Sequence, residues 1–212
     1  MDKEQLKRFK EHMFPDKEKV IKDVVPLLKK KCAPFLKEVN KRNMFIWRGV
    51  DRKIKGPIER KVTRKNRKPS DTSQWAHERL DELFQEKFGW KVRSQGVFTT
   101  PSGNTAAAYG SSFGGGDCIF FPIGKYRYVW SPHVHDLWPH ILMKLSLKTF
   151  TSAEGERGEI KELRKMVASY TDKGLRKAIA HHVVPEIVFD CKEYYLVTAI
   201  YRGIIRGEIY GY

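Results

Sequence analysis

FIWRGV, residues 45–50, is where the chain stops looking helical and begins to look like strand. Five of its six residues suit a packed strand, and the sixth, Arg48, is a cation that keeps its charge at any physiological pH. Upstream, Leu6, Phe9 and Met13 fall at helical spacing and stop at Pro15. A second helix is predicted from Asp16, carrying Val20, Ile21, Val24, Leu27 and Leu28, with a kink at Pro26. Residues 1–44 therefore read as a helical cap, and residues 45–212 as one compact unit.

Downstream lies DRKIKGPIERKVTRKNRKPSD, residues 51–71. Gly56, Pro57 and Pro69 argue against a regular helix, which predicts a long, basic, mobile loop over residues 51–70. DTSQWAHERLDELFQEKFG (71–89) then reads as a helix. Asp71, Thr72 or Ser73 would cap it, Ala76, Leu80, Leu83, Phe84 and Phe88 would form its apolar stripe, and Gly89 would stop it. From Trp90 the runs are β-like: WKVRSQGVFTT (90–100), DCIFFPIGKYRYVWSP (117–132) and EIVFDCKEYYLVTAIYRGIIRGEIYGY (186–212). Helical stretches are expected between them, near 103–109, 134–145 and 158–180. The plan is α+β with an antiparallel-rich sheet region, without the regular alternation of a doubly wound fold.

The formal charge of +16 is unevenly spread. Residues 1–68 hold 23 Lys and Arg against 9 Asp and Glu, so +14 of it lies in that first third. Such a field attracts phosphate backbones or acidic proteins, and equally keeps a surface solvated. There is no apolar run long enough to cross a membrane, and the charged start MDKEQLKRFKEHMF has no secretory pattern, so a cytoplasmic protein is expected. Cys32, Cys118 and Cys191 are odd in number and far apart, which suits free thiols better than a disulfide frame or zinc site.

GxxxxGK[ST], GxGxxG after a strand, GxSxG and HExxH are all missing from the sequence. GSSFGGGD (110–117) reads as loop before it reads as a phosphate cradle. His133, His135 and His140, with His181 and His182, lack a cysteine or acidic partner at diagnostic spacing, so no metal is assigned. The aromatics of KYRYVWSP could stack bases or fill a packed strand.

Three motifs remain, and their order matters. FIWRGV, then GVFTTPSGNTAAAYG (96–110), then VVPEIVFDCKEYYLV (183–197) resemble the arginine, serine-threonine-serine and glutamate signatures of the mono-ADP-ribosyltransferase superfamily, the R-S-E class of toxins and phage enzymes. In that family the arginine ends an apolar strand, and the hydroxyl motif runs from a strand into a helix of small residues. The glutamate starts a strand that is followed by a short turn and another strand.

The resemblance covers about residues 45–198 and implies a fold of two packed small β-sheets with flanking helices and an N-terminal helical cap. It implies NAD as substrate, transfer of ADP-ribose to a macromolecular acceptor, and, for a phage-encoded enzyme, action in the host cytoplasm. Arg48, with Gly49, would bind the phosphate and ribose of NAD. Thr99 and Thr100 would take the first two hydroxyl positions, with Pro101 in place of the last serine, and Glu186 would be the catalytic glutamate. Val184 stands where many members carry the Glu or Gln tied to arginine modification. The acceptor is thus open between another protein side chain, a nucleic acid and water.

Chemistry supplies independent reasons for these residue types. Breaking the nicotinamide–ribose bond builds positive charge on the sugar, which a fixed carboxylate stabilises. A diphosphate needs directed donors that stay charged, and threonine hydroxyls can bond a ribose without adding charge. Gly96 would let the backbone pass close to the ligand, and Tyr109 is expected in the core. IYRGII (200–205) repeats the aromatic-Arg-Gly pattern after the glutamate, where Arg202 reads as a strand-end surface cation. A non-catalytic, basic nucleic-acid-binding or virion-associated protein is the alternative, carried by the charge of residues 1–68.

Overall fold

The computed structural model describes residues 5, 16–39, 44–69, 72–111, 115–137, 139 and 153–211. The first predicted helix, the Asp71 cap, most of the stretch near 134–145 and His140 lie outside the described residues. The architecture is mixed α+β with two small antiparallel sheets. The chain divides into two compact units interleaved in sequence. One comprises residues 1–61, 102–125 and 193–212, the other residues 62–101 and 126–192.

In the first unit, α1 (Lys17–Lys19) continues through a π-helical turn, Val20–Val24, into α2 (Val25–Lys31), and α3 (Ala33–Glu38) follows. The expected disturbance at Pro26 takes this form: Pro26 sits in the first turn of α2, where its missing N–H costs little, just after the widened turn. The sheet has the order β1 (Trp47–Val50), β4 (Gly116–Pro122), β7 (Glu193–Thr198), β2 (Ile58–Val62). Phe45, Ile46 and Trp47 are buried, as their apolar run predicts. Helix α6 (Gly103–Ser111) packs on β1 and β4.

Three expectations fail in this unit. The basic segment is not loop throughout, because β2 forms inside it at the edge of the sheet beside β7. Arg60 bonds Glu193 at 2.6 Å, and Arg52 and Lys61 both bond Glu59 at 2.7 Å. A charged edge strand of this kind discourages pairing with another chain. The C-terminal run is also not strand throughout. After β7 the chain turns through a 3₁₀ stretch, Ala199–Tyr201, into helix α9 (Arg202–Tyr210), so exposed Arg202 opens a helix instead of ending a strand. Ile205 at 0% exposure is the inward anchor of that helix. Tyr109, expected in the core, is 51% exposed, because α6 presents the small residues Ala106 and Gly110 inward.

In the second unit the sheet order is β3 (Val97–Thr99), β6 (Ile187–Cys191), β5 (Tyr126–Trp130). Helix α4 (Gln74–Phe88) forms as predicted. Ser73 caps it by accepting from Ala76 N–H, and Gly89 ends it at φ 76°, where other residues are strained. Ala76, Leu80, Leu83 and Phe84 join Trp90, Val129, Leu163, Met166 and Val188 in one apolar core. The stretch 90–100 is less β-rich than expected, since Val92–Gln95 is a helical turn, α5. Its start is held by Asp81, whose carboxylate accepts from the backbone N–H groups of Arg93 and Ser94 and from the Ser94 hydroxyl. The helix expected near 158–180 is broken into α7 (Ala153–Ala168) and α8 (Leu175–Ile179). The aromatics of β5 pack: Tyr128 lies against Phe189, and Trp130 Nε1 donates to the Lys173 carbonyl.

Candidate active site

Glu186 immediately precedes β6, its N–H donating to the His135 carbonyl at 2.8 Å. Alternate residues of a strand share a face, so its side chain falls on the side of Val188, toward the apolar core of the second unit. The residue is half-buried, but Oε2 is shielded from solvent and has no hydrogen-bond partner. Burial pushes the carboxyl pKa up to about 7, and the charge of Asp136 adds to this. Arg93, Arg67 and a backbone hydrogen bond from Leu137 act the other way. The Tyr170 hydroxyl is also unpartnered, and burial followed by the Glu186 charge raises its pKa well above the usual phenol value.

The threonines lie at the end of β3, the strand that pairs with β6. β3 pairs antiparallel with β6 in the register Val97↔Phe189, Phe98↔Val188, Thr99↔Ile187. Thr99, 4% exposed, donates its hydroxyl to the Ile187 carbonyl at 2.6 Å, so its proton is spent on holding the start of the Glu186 strand. Thr100, the next residue, is buried as well. Thr99 is thus the hydroxyl that ties β3 to the start of β6, an assignment that the letters TT could not make. Gly96 does not leave room for a ligand. A Cβ there would come within 2.2 Å of Val188 Cγ1 and 2.4 Å of the Val92 carbonyl, so its space is filled by the protein.

Arg48 and Gly49 belong to the first unit. Arg48 pairs with Cys118 across β1 and β4 and is half-buried, its guanidinium carbon 5.9 Å from the Tyr194 ring centroid. Gly49 is demanded by packing: a Cβ would lie 2.5 Å from the Ala106 carbonyl oxygen of α6. By contrast, a Cβ on Gly203 of the second Arg-Gly pair would meet nothing within 4 Å. Close packing also accounts for Gly110 near the end of α6, where a Cβ would run into the Gly116 carbonyl, and for Gly115 after it, where a Cβ would run into the Val50 carbonyl.

Reading the sequence missed several residues around Glu186. Phe98 is flanked by two guanidinium groups, Arg67 at 4.6 Å and Arg93 at 5.1 Å from its centroid. Val184, two residues before Glu186, adopts φ 53°, a conformation that costs a β-branched side chain energy. No sequence signal marks such a backbone. His77, Ser94 and Asp81 are close together, with His77 Nε2 3.0 Å from Ser94 Oγ, but the Ser94 hydroxyl is committed to Asp81 and the group serves to cap α5. His133 and His135 are exposed, and no group of three or more candidate metal ligands occurs among the described residues. Nor, among those residues, is any helix long and apolar enough to cross a membrane. Comparison of the chain with protein-family models, with curated proteins and with solved structures gives no match.

Proposed function

We propose that this chain is an NAD-dependent mono-ADP-ribosyltransferase with the two-sheet fold of that superfamily. The observation that carries the reading is the setting of Glu186. It is a carboxylate at the start of a strand, one oxygen shielded and unpartnered, its pKa raised to about 7, with Thr99 bonding the next residue's carbonyl. Perturbed carboxylates of this kind concentrate at functional sites.

In the proposed reaction the bond from the nicotinamide nitrogen to the ribose C1′ breaks, and nicotinamide leaves with the electron pair. Glu186, ionised, faces the positive charge that develops on the sugar. The acceptor's nucleophile supplies the new pair to C1′ and gives up its proton. The resemblance gives Thr100 the second hydroxyl position, while Thr99 positions the strand. Arg48 and Gly49 keep the phosphate and ribose role that the resemblance implies.

The test is release of nicotinamide from labelled NAD by the wild type and by Glu186→Gln. The expected result is release by the wild type and a loss of at least a hundredfold in the variant. Equal release by both, or none by either, would sink the proposal. A non-catalytic nucleic-acid-binding protein is the second reading, favoured by the charge of residues 1–68. It predicts salt-dependent binding to DNA or RNA with no saturable NAD site by calorimetry.

A further inference from the structure

The segment that follows β2 was expected to be mobile, yet in the second unit it is tied down along its length. The N–H of Thr63 donates to the Lys192 carbonyl at 3.0 Å, and its hydroxyl lies 3.7 Å from the Cys191 thiol. Lys65 bonds Asp190 of β6 at 2.5 Å. The N–H of Arg67 donates to the Ser94 carbonyl at 3.1 Å, and its Nη1 donates to the Gly96 carbonyl at 3.1 Å. Residues 63–67 therefore form a strap fastened to the C-terminal end of β6, opposite the end that Glu186 precedes, and to the α5 turn that leads into β3.

The strap's sequence, TRKNRK (63–68), is basic, and its charges are unequally engaged. Lys65 is taken by Asp190. Arg64 and Lys68 are exposed and make no ion pair among the described residues. Arg67 lies over Phe98, and Arg93 lies over the same ring, anchored by its Nη2 on the Thr72 hydroxyl at 3.1 Å. The Nε of Arg93 is shielded from solvent, so any contact with an external phosphate falls to the rest of its guanidinium. Two planar cations held by one aromatic ring lose little freedom on binding an anion, and a guanidinium fork matches phosphate oxygens.

We propose that the strap Thr63–Lys68, together with Arg93, is a phosphate-binding surface for a single-stranded nucleic acid, and that this strand is the acceptor of ADP-ribose. The second half of this proposal rests on the transferase reading. Several cations on and beside one short strap, two of them held on the Phe98 ring, fit a repeating phosphate backbone, whereas an arginine or lysine side chain would be repelled by them as acceptor. Val184, without the acidic or amide side chain tied to arginine modification, agrees with that exclusion. The bound strand supplies the electron pair that replaces nicotinamide at C1′.

The experiment uses the full chain and fluorescein-labelled single-stranded DNA and RNA of about 16 nucleotides, within the site sizes of single-strand binders. Anisotropy is read across a salt series, with thermal melts confirming that each variant folds. The expected result is that the double variant R67Q/R93Q binds at least tenfold more weakly. Its salt slope should fall by about 1.4, the loss of two single-strand phosphate contacts. The double variant R67K/R93K, which keeps charge but loses the fork, should fall between the two. Binding unchanged in R67Q/R93Q, or no binding by the wild type, overturns the surface. Label from NAD appearing on protein acceptors but never on the oligonucleotide overturns the acceptor assignment. Loss of binding in R67Q/R93Q with no nicotinamide release from the wild type would leave the surface standing while refuting the transferase reading and the acceptor role with it.

Discussion

At the scale of single residues, Glu186 concentrates the physics. Its carboxyl lies in a largely apolar setting, so the folded chain holds a proton that the unfolded chain has already released between the ordinary carboxylate value of 4.5 and about 7. Stability from this group therefore falls as pH rises through that window, by at most about 3.5 kcal/mol at roughly 1.4 kcal/mol per unit. Glu186→Gln is expected to unfold at higher denaturant than the wild type at pH 8 and to match it near pH 4. The same titration governs chemistry: nicotinamide release should rise with pH through about 7, as the carboxylate that faces the sugar cation forms. A flat profile, together with an unchanged unfolding midpoint in the variant at pH 8, would remove the special status of this carboxyl. The residue's identity was legible from its motif. Its shielding was not, because Tyr170, Asp136 and Arg93, which surround it electrostatically, are scattered along the chain.

At the scale of elements, the two Arg-Gly pairs show what pattern alone leaves undecided. In β1 the glycine is wedged against α6, and in α9 the glycine faces open space. Gly49→Ala should cost about 2 kcal/mol or more, since backbone atoms on both sides must move. Gly203→Ala should be neutral or stabilise by up to about 1 kcal/mol, because alanine loses less backbone entropy in a helix. Denaturant unfolding of both variants measures the contrast, and equal effects would contradict the packing of β1 on α6. Helix α4 was legible from end to end because its stripe, cap and stop are local signals. Helix α9 was misread as strand because IYRGIIRGEIY carries the β-prone residues that favour either form, and burial of Ile205 and Tyr201 against the first unit decided for helix. Similarly, β2 was hidden by its charges, which an edge strand tolerates once Glu59 and Glu193 pair them.

For the whole molecule, the three cysteines report on global opening. Cys32, Cys118 and Cys191 are free and buried, and burial, aided by Asp117 and Glu59, pushes the Cys118 thiol up to about 12. A thiol reagent at neutral pH should label none of them within minutes in native buffer and all of them in denaturant. Rapid native labelling of any one would show that its unit opens locally. Cys32 and Cys118 sit in the first unit and Cys191 in the second, so mass spectrometry of partly unfolded samples also reads whether the two open together. The sequence by itself determined the α+β class, the α4 helix with its caps, the strands around FIWRGV and EIVF, the concentration of charge in the first third, and the arginine, threonine and glutamate candidates. These are local: periodicity, turn residues and composition are readable within a few turns of chain. Only the tertiary structure decided that Thr99 is spent on the Ile187 carbonyl, and that the basic run is strapped to Lys192, Asp190 and Ser94. Those outcomes depend on register and burial, which are set by partners 27 to 129 positions apart in the numbering of the chain.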